Sequence, residues 1–153
     1  MRTGWIGRIA GVLALAATAL AGPAGPAAAS ERGDHDHGDG FETRQLTGTL
    51  AGKQFVAGPF VYVDAQLDDD LFAAGGEVTV QGLRAVDLFA VGGLLQATGL
   101  RATDAVLAGG SIAVGGTLTG DLLAAGGQIE TRQGTEVQGD ALLAGGRIEV
   151  GGT

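Results

Sequence analysis

The chain has 153 residues, a formal net charge of −8 and no cysteine. That length holds one domain at most, and the acidic balance disfavours nucleic acid and anionic membrane surfaces as partners. With no disulfides, the fold must depend on its core, on ladder hydrogen bonds or on assembly.

Residues 1–29 read as a secretory signal peptide. Arg2 and Arg8 give a positive start, Ile9 to Ala21 is a largely apolar run, and Ala27-Ala28-Ala29 before Ser30 offers a small-residue cleavage site. Gly22, Pro23, Gly25 and Pro26 interrupt the run too early for a spanning helix. No Cys follows the run, which argues against a lipoprotein anchor, and Arg2 and Arg8 are not adjacent, which argues against a twin-arginine signal. The expected location is therefore extracytoplasmic: periplasm, cell envelope or secreted, with a membrane-anchored form only if the signal stays uncleaved. Losing Arg2 and Arg8 takes the formal charge from −8 to −10.

Ser30 to Gly40 is polar and glycine-rich, without apolar periodicity, and reads as a disordered linker. His35 and His37 with Asp34, Asp36 and Asp39 are legitimate zinc or copper ligands, yet in a flexible tail they would hold such metals weakly, so a solvated spacer is the preferred reading. Phe41 to Leu50 reads as a lead-in strand from the alternation of Phe41, Thr43, Gln45 and Thr47.

From about Ala51 the chain repeats. Gly75-Gly76, Gly92-Gly93, Gly109-Gly110 and Gly126-Gly127 recur every 17 residues, and Gly145-Gly146 follows after 19. An aspartate precedes each pair by five residues: Asp70, Asp87, Asp104, Asp121 and Asp140. One period earlier, Lys53 stands in the Asp position and Gly58-Pro59 in that of the glycines, a degenerate terminal unit. A period this short with glycines at the corners suits one turn of a parallel β-helix of triangular section. About six turns spaced by ~4.8 Å make a solenoid roughly 30 Å tall.

The columns of the repeat divide by polarity. Val78, Leu95, Ile112, Ile129 and Ile148 should form one internal ladder, and Val80, Ala97, Val114, Thr131 and Val150 a second, with polar positions between them. After each Asp the first and third residues hold one Leu and one Ala in either order, as in Leu88/Ala90 and Ala105/Leu107. Such volume compensation indicates a close-packed interior of fixed width. The residue between then points outward, giving a stripe of Phe72, Phe89, Val106, Leu123 and Leu142 that continues Phe55; a stripe of this kind marks a contact surface unless residues 41–50 cover it. The Asp column is expected to hydrogen-bond backbone amides at its corner; the other reading is a cation-binding ladder joined by Asp68 and Asp69. Two extra residues near Gln133-Gly134-Thr135 fit a small loop at the third corner.

The pattern G-D-L-x-A-A-G-G-x-[VI]-x-[VT], here from Gly120 to Thr131, resembles the repeat of the bactofilin, or polymer-forming cytoskeletal, family. The resemblance covers residues 51–153 and implies a right-handed parallel β-helix that polymerises end to end without nucleotide. Bactofilins proper are cytoplasmic; the signal peptide departs from that pattern and points to a scaffold in the cell envelope.

Enzyme readings lack their chemistry. Triangular acyltransferases of the hexapeptide type need a His among the coils, and both His lie in the linker. Arg84 and Arg101 stack one period apart, but no carboxylate pair faces them as a glycan-cleaving site requires. Calcium-binding nonapeptide rolls place an Asp where this chain has Glu77-Val78-Thr79-Val80. The expected function is a non-enzymatic structural scaffold with no cofactor, no metal and no small-molecule substrate. Its expected partners are further copies of itself, as homo-oligomer or polymer, and cell-envelope components. The alternative is a calcium- or glycan-binding extracytoplasmic β-solenoid module. Self-association is expected at the C-terminal turn through Ile148, where the chain stops at Thr153 partway through a turn and an uncapped β-helix end templates pairing. The stripe from Phe72 to Leu142 is expected as a lateral contact.

Overall fold

A parallel ladder follows when every turn places the same residue types over the same positions. The computed structural model describes residues 43–152; the signal segment at 1–29 and the linker with His35 and His37 lie outside the described residues. The elements are β1 (Thr43–Leu50), β2 (Gln54–Leu67), β3 (Leu71–Gln81), β4 (Asp87–Ala102), β5 (Asp104–Leu118), β6 (Leu122–Thr131), β7 (Glu136–Val137) and β8 (Ala141–Val150). No helix occurs among the described residues. The strands pair in the order β1-β2-β3-β4-β5-β6-β8, every pair parallel, with β7 on β5. The fold is a parallel β-solenoid of about six turns with about 17 residues per turn.

Register follows the repeat. Phe55 pairs with Phe72, Phe72 with Phe89, Phe89 with Val106 and Val106 with Leu123. Leu123 then pairs with Leu142, and the two extra residues are absorbed at a turn around Gln133-Gly134. There Gly134 has a φ of 80°, and the buried Thr135 hydroxyl donates to the Arg132 carbonyl at 2.6 Å.

The expected inner columns are inside. Val78, Leu95, Ile112 and Ile129 stack as one ladder and are fully buried. Leu71, Leu88, Ala105 and Leu122 form another, and Ala73, Ala90, Leu107 and Ala124 a third. One Leu and one Ala per rung thus fill a core of constant width. Leu83, Leu100 and Leu118 close the remaining side, with Val137 packed against them. Each fully buried Leu or Ile contributes about 1.5–3 kcal/mol over its exposed state.

The ladder begins earlier than Ala51. β1 pairs with β2 over its whole length, Thr43 with Phe60 through Leu50 with Leu67, so it forms the first partial rung. It therefore lies along residues 60–67 and leaves the stripe that starts at Phe55 uncovered.

The paired glycines work differently from corner glycines of left-handed backbone. β3, β4, β5, β6 and β8 run through them, and among the described glycines positive φ occurs instead at Gly48, Gly52, Gly82, Gly99, Gly116 and Gly134. What the pair requires is close approach. A Cβ on Gly75 would lie 2.6 Å from the Gly58 carbonyl oxygen, one on Gly92 3.0 Å from that of Gly75, and one on Gly145 2.7 Å from that of Gly126. Each turn's glycine therefore leaves room for the backbone of the turn before it.

Candidate functional site

Alternation along the first run of each turn decides what the side of the solenoid presents. Leu71 and Ala73 point in, so Phe72 and Ala74 point out. Repeated over six rungs, this gives two outward columns side by side. One is Phe55, Phe72, Phe89, Val106, Leu123 and Leu142; the other is Ala57, Ala74, Val91, Ala108, Ala125 and Ala144. Neither column contains a polar side chain.

The three Phe rings stack along the first column. Centroids are 4.7 Å apart for both Phe55–Phe72 and Phe72–Phe89, with interplanar angles of 10° and 5°. This spacing equals the separation of neighbouring strands, so the ladder itself sets the stack. Phe72, Phe89, Val106 and Leu123 are half-buried by their neighbours above and below. Among the described residues each column end has a neighbour on one side only, and Phe55 is 74% and Leu142 57% exposed.

Ile148 belongs to a different surface. Its column points inward, and Ile129 beneath it is fully buried. Yet Ile148 is 41% exposed and Val150 66%, because among the described residues β8 is paired only with β6. Of the six residues expected at self-association contacts, Phe72, Phe89, Val106, Leu123 and Leu142 lie on this lateral face and Ile148 lies in the β8 rung. The Ala57-to-Ala144 column was missed by the sequence reading, although the Leu/Ala alternation that placed Phe72 outside implies it.

At Asp104 and Asp121 the Asp column is a hydrogen-bonding device that holds the start of the next rung. Asp104 Oδ1 accepts the Asp121 backbone N–H at 2.7 Å, and Asp121 Oδ1 accepts that of Asp140 at 2.8 Å. Gly120 and Gly139 precede Asp121 and Asp140 because any Cβ there would collide with the same carboxylates. At the opposite end Lys53 replaces the aspartate and donates to Asp69 at 3.1 Å and to the buried Asp70. The Asp70 side chain raises the Lys53 pKa, with Asp69 adding to the effect. The Asp70 backbone N–H, followed by Lys53, holds the Asp69 carboxyl below its ordinary value. Among the described residues no group of three or more His, Cys, Asp or Glu is placed to hold a metal ion.

Arg84 and Arg101 form an isolated parallel bridge and border a shallow hollow with Thr103, Thr117 and Thr119. No carboxylate lines it. Neither general acid–base chemistry nor nucleophilic chemistry has a residue pair to work with in that hollow. No protein-family model, curated protein or solved structure matches the chain.

Proposed function

We propose that the chain is a non-enzymatic scaffold of the cell envelope, outside the cytoplasm, that self-associates through the ends of its solenoid. The observation that carries this reading is the rung of β8. Ile148 and Val150 occupy columns that are buried in the rungs below, yet both are exposed, and among the described residues β8 pairs only with β6. A strand edge of this kind templates pairing with another chain. The resemblance of the Gly120-to-Thr131 repeat to polymer-forming β-helices supports the same reading, as does the signal-like segment for its location.

Sedimentation velocity of the full chain tests it. Assemblies that grow with concentration are expected for the wild type. Ile148→Lys places a charge in the end rung and should abolish them while leaving the turns around Val78 folded by circular dichroism. A wild type that stays monomeric at high concentration refutes end-on association.

A further inference from the structure

The two outward columns differ in size, and that difference selects a partner. The Phe55-to-Leu142 column is a ridge of large side chains. The Ala57-to-Ala144 column beside it is a groove of small ones, with Val91 its largest member. On the far side of the ridge lies the Asp column, and on the far side of the groove lies the second glycine of each pair, which has no side chain.

We propose that a second copy of this chain docks on this face, the two solenoids side by side and parallel, related by a two-fold axis parallel to the solenoid axis. This adds a lateral contact to the end-on association above and rests on that reading only in taking the chain as self-associating. Three features point to a second copy. The first is shape. A two-fold axis over the Ala73 column carries the ridge of one copy onto the groove of the other, rung by rung, so that Leu123 meets Ala125 of its mate. A two-fold axis perpendicular to the solenoid axis would instead set ridge on ridge, Phe72 against Leu123.

Charge gives the second feature. The chain has a net charge of −8, so two copies repel at most faces; the two columns carry no charged group. The parallel arrangement also sets each copy's Asp column opposite its mate's side-chain-free glycines. The two Asp columns then stand about 20 Å apart, six residues at ~3.3 Å, beyond the ~8 Å screening length at physiological salt. Ridge-on-ridge packing would bring them face to face.

Area is the third. Six rungs at ~4.8 Å by five residues at ~3.3 Å give about 500 Å² per copy. A pair therefore buries about 1,000 Å², the lower limit for a specific association, and the contact should be a reversible, closed dimer.

The test uses sedimentation equilibrium and cysteine cross-linking of the full chain, which has no cysteine of its own. Ile148→Lys should leave a concentration-dependent dimer, and adding Val106→Lys should raise its dissociation constant at least tenfold with the melting profile unchanged. Mixing Leu123→Cys with Ala125→Cys chains should give a cross-linked dimer under mild oxidation, whereas mixing Leu123→Cys with Phe72→Cys should not. Preferential Leu123–Phe72 cross-linking overturns the parallel arrangement. A dimer indifferent to Val106→Lys overturns the face. An Ile148→Lys chain that is monomeric throughout also overturns the proposal, whether its Leu123→Cys thiol is reactive toward a soluble maleimide, leaving the face in water, or protected, placing another segment of the same chain over it. Loss of the large assemblies with retention of this dimer separates the two contacts. If the wild type forms no large assemblies but still dimerises, end-on association alone fails.

Discussion

Gly75→Ala probes why the solenoid needs its glycine pairs. The added Cβ would meet the Gly58 carbonyl oxygen at 2.6 Å, with the Glu77 carbonyl oxygen and Val61 Cγ2 each at 3.2 Å. An ordinary carbon–oxygen contact is about 3.3 Å or more, so the rungs must part locally by roughly 0.7 Å. That stretches a ~2.9 Å ladder hydrogen bond to ~3.6 Å, where it no longer counts as one. Losing two such bonds at about 1 kcal/mol each, with some disturbed packing at Val61, costs about 2–3 kcal/mol. The reduced freedom of the unfolded chain returns about 0.4–1 kcal/mol. A net loss of about 2 kcal/mol lowers the melting temperature by roughly 8–16 °C for a domain near this size. Gly146→Ala is the control. Its Cβ would lie 3.3 Å from the Gly127 carbonyl oxygen, at the limit of ordinary contact, with no other atom beyond its chain neighbours within 4 Å, so its melting point should stay within about 3 °C of wild type, a change of under 0.5 kcal/mol. Thermal unfolding followed by circular dichroism makes the comparison. Gly75→Ala as stable as wild type refutes the stacking argument, and so do equal losses at both sites, since neither glycine has a positive φ and only Gly75 has the 2.6 Å approach.

Leu107→Ala should cost about 2–5 kcal/mol as a core truncation, and adding Ala105→Leu should recover part of it if volume is balanced within each rung; a double variant no better than the single one in urea unfolding would contradict that balance. The Lys53–Asp69–Asp70 cluster should give the first full rung a pH dependence with two limits. Asp69, whose folded pKa is depressed, contributes above its ordinary 3.8 and loses that contribution as pH falls through its lower folded value. Lys53, whose folded pKa is raised, contributes fully below its ordinary 10.5 and loses that contribution as pH rises through its folded value. Lys53→Met should therefore lower the melting temperature between these limits and remove the alkaline loss; an unchanged pH profile of melting would show that the cluster does not act.

Much of this architecture was legible because its strongest constraints repeat. Asp104 and Asp121 hold the backbone of the next turn, and Gly92 and Gly109 clear space for the previous one, so substitution at either place disturbs two turns at once. The inner ladder through Val78 and Ile129 was equally plain from its alternation with polar positions. The register of β1 was harder to read, since Thr43–Leu50 contains neither the aspartate nor the glycine pair; alternation marked a strand, but its place in the ladder is signalled by Leu46 and Leu50, one period before Val63 and Leu67. The purpose of the glycine pair was hidden too. Glycine in sequence suggests a special φ, whereas here the reason is a neighbour's carbonyl oxygen, which only the stacked structure reveals.

Cryo-electron microscopy of the full chain beside Ile148→Lys tests end-on assembly most directly. Wild-type particles should be elongated, with a ~4.8 Å rung spacing that runs unbroken past Val150 into the next copy, and Ile148→Lys particles should be short with intact turns. Wild-type particles in which the strand ladder ends at β8 at every concentration, or Ile148→Lys particles as long as wild type, would contradict it.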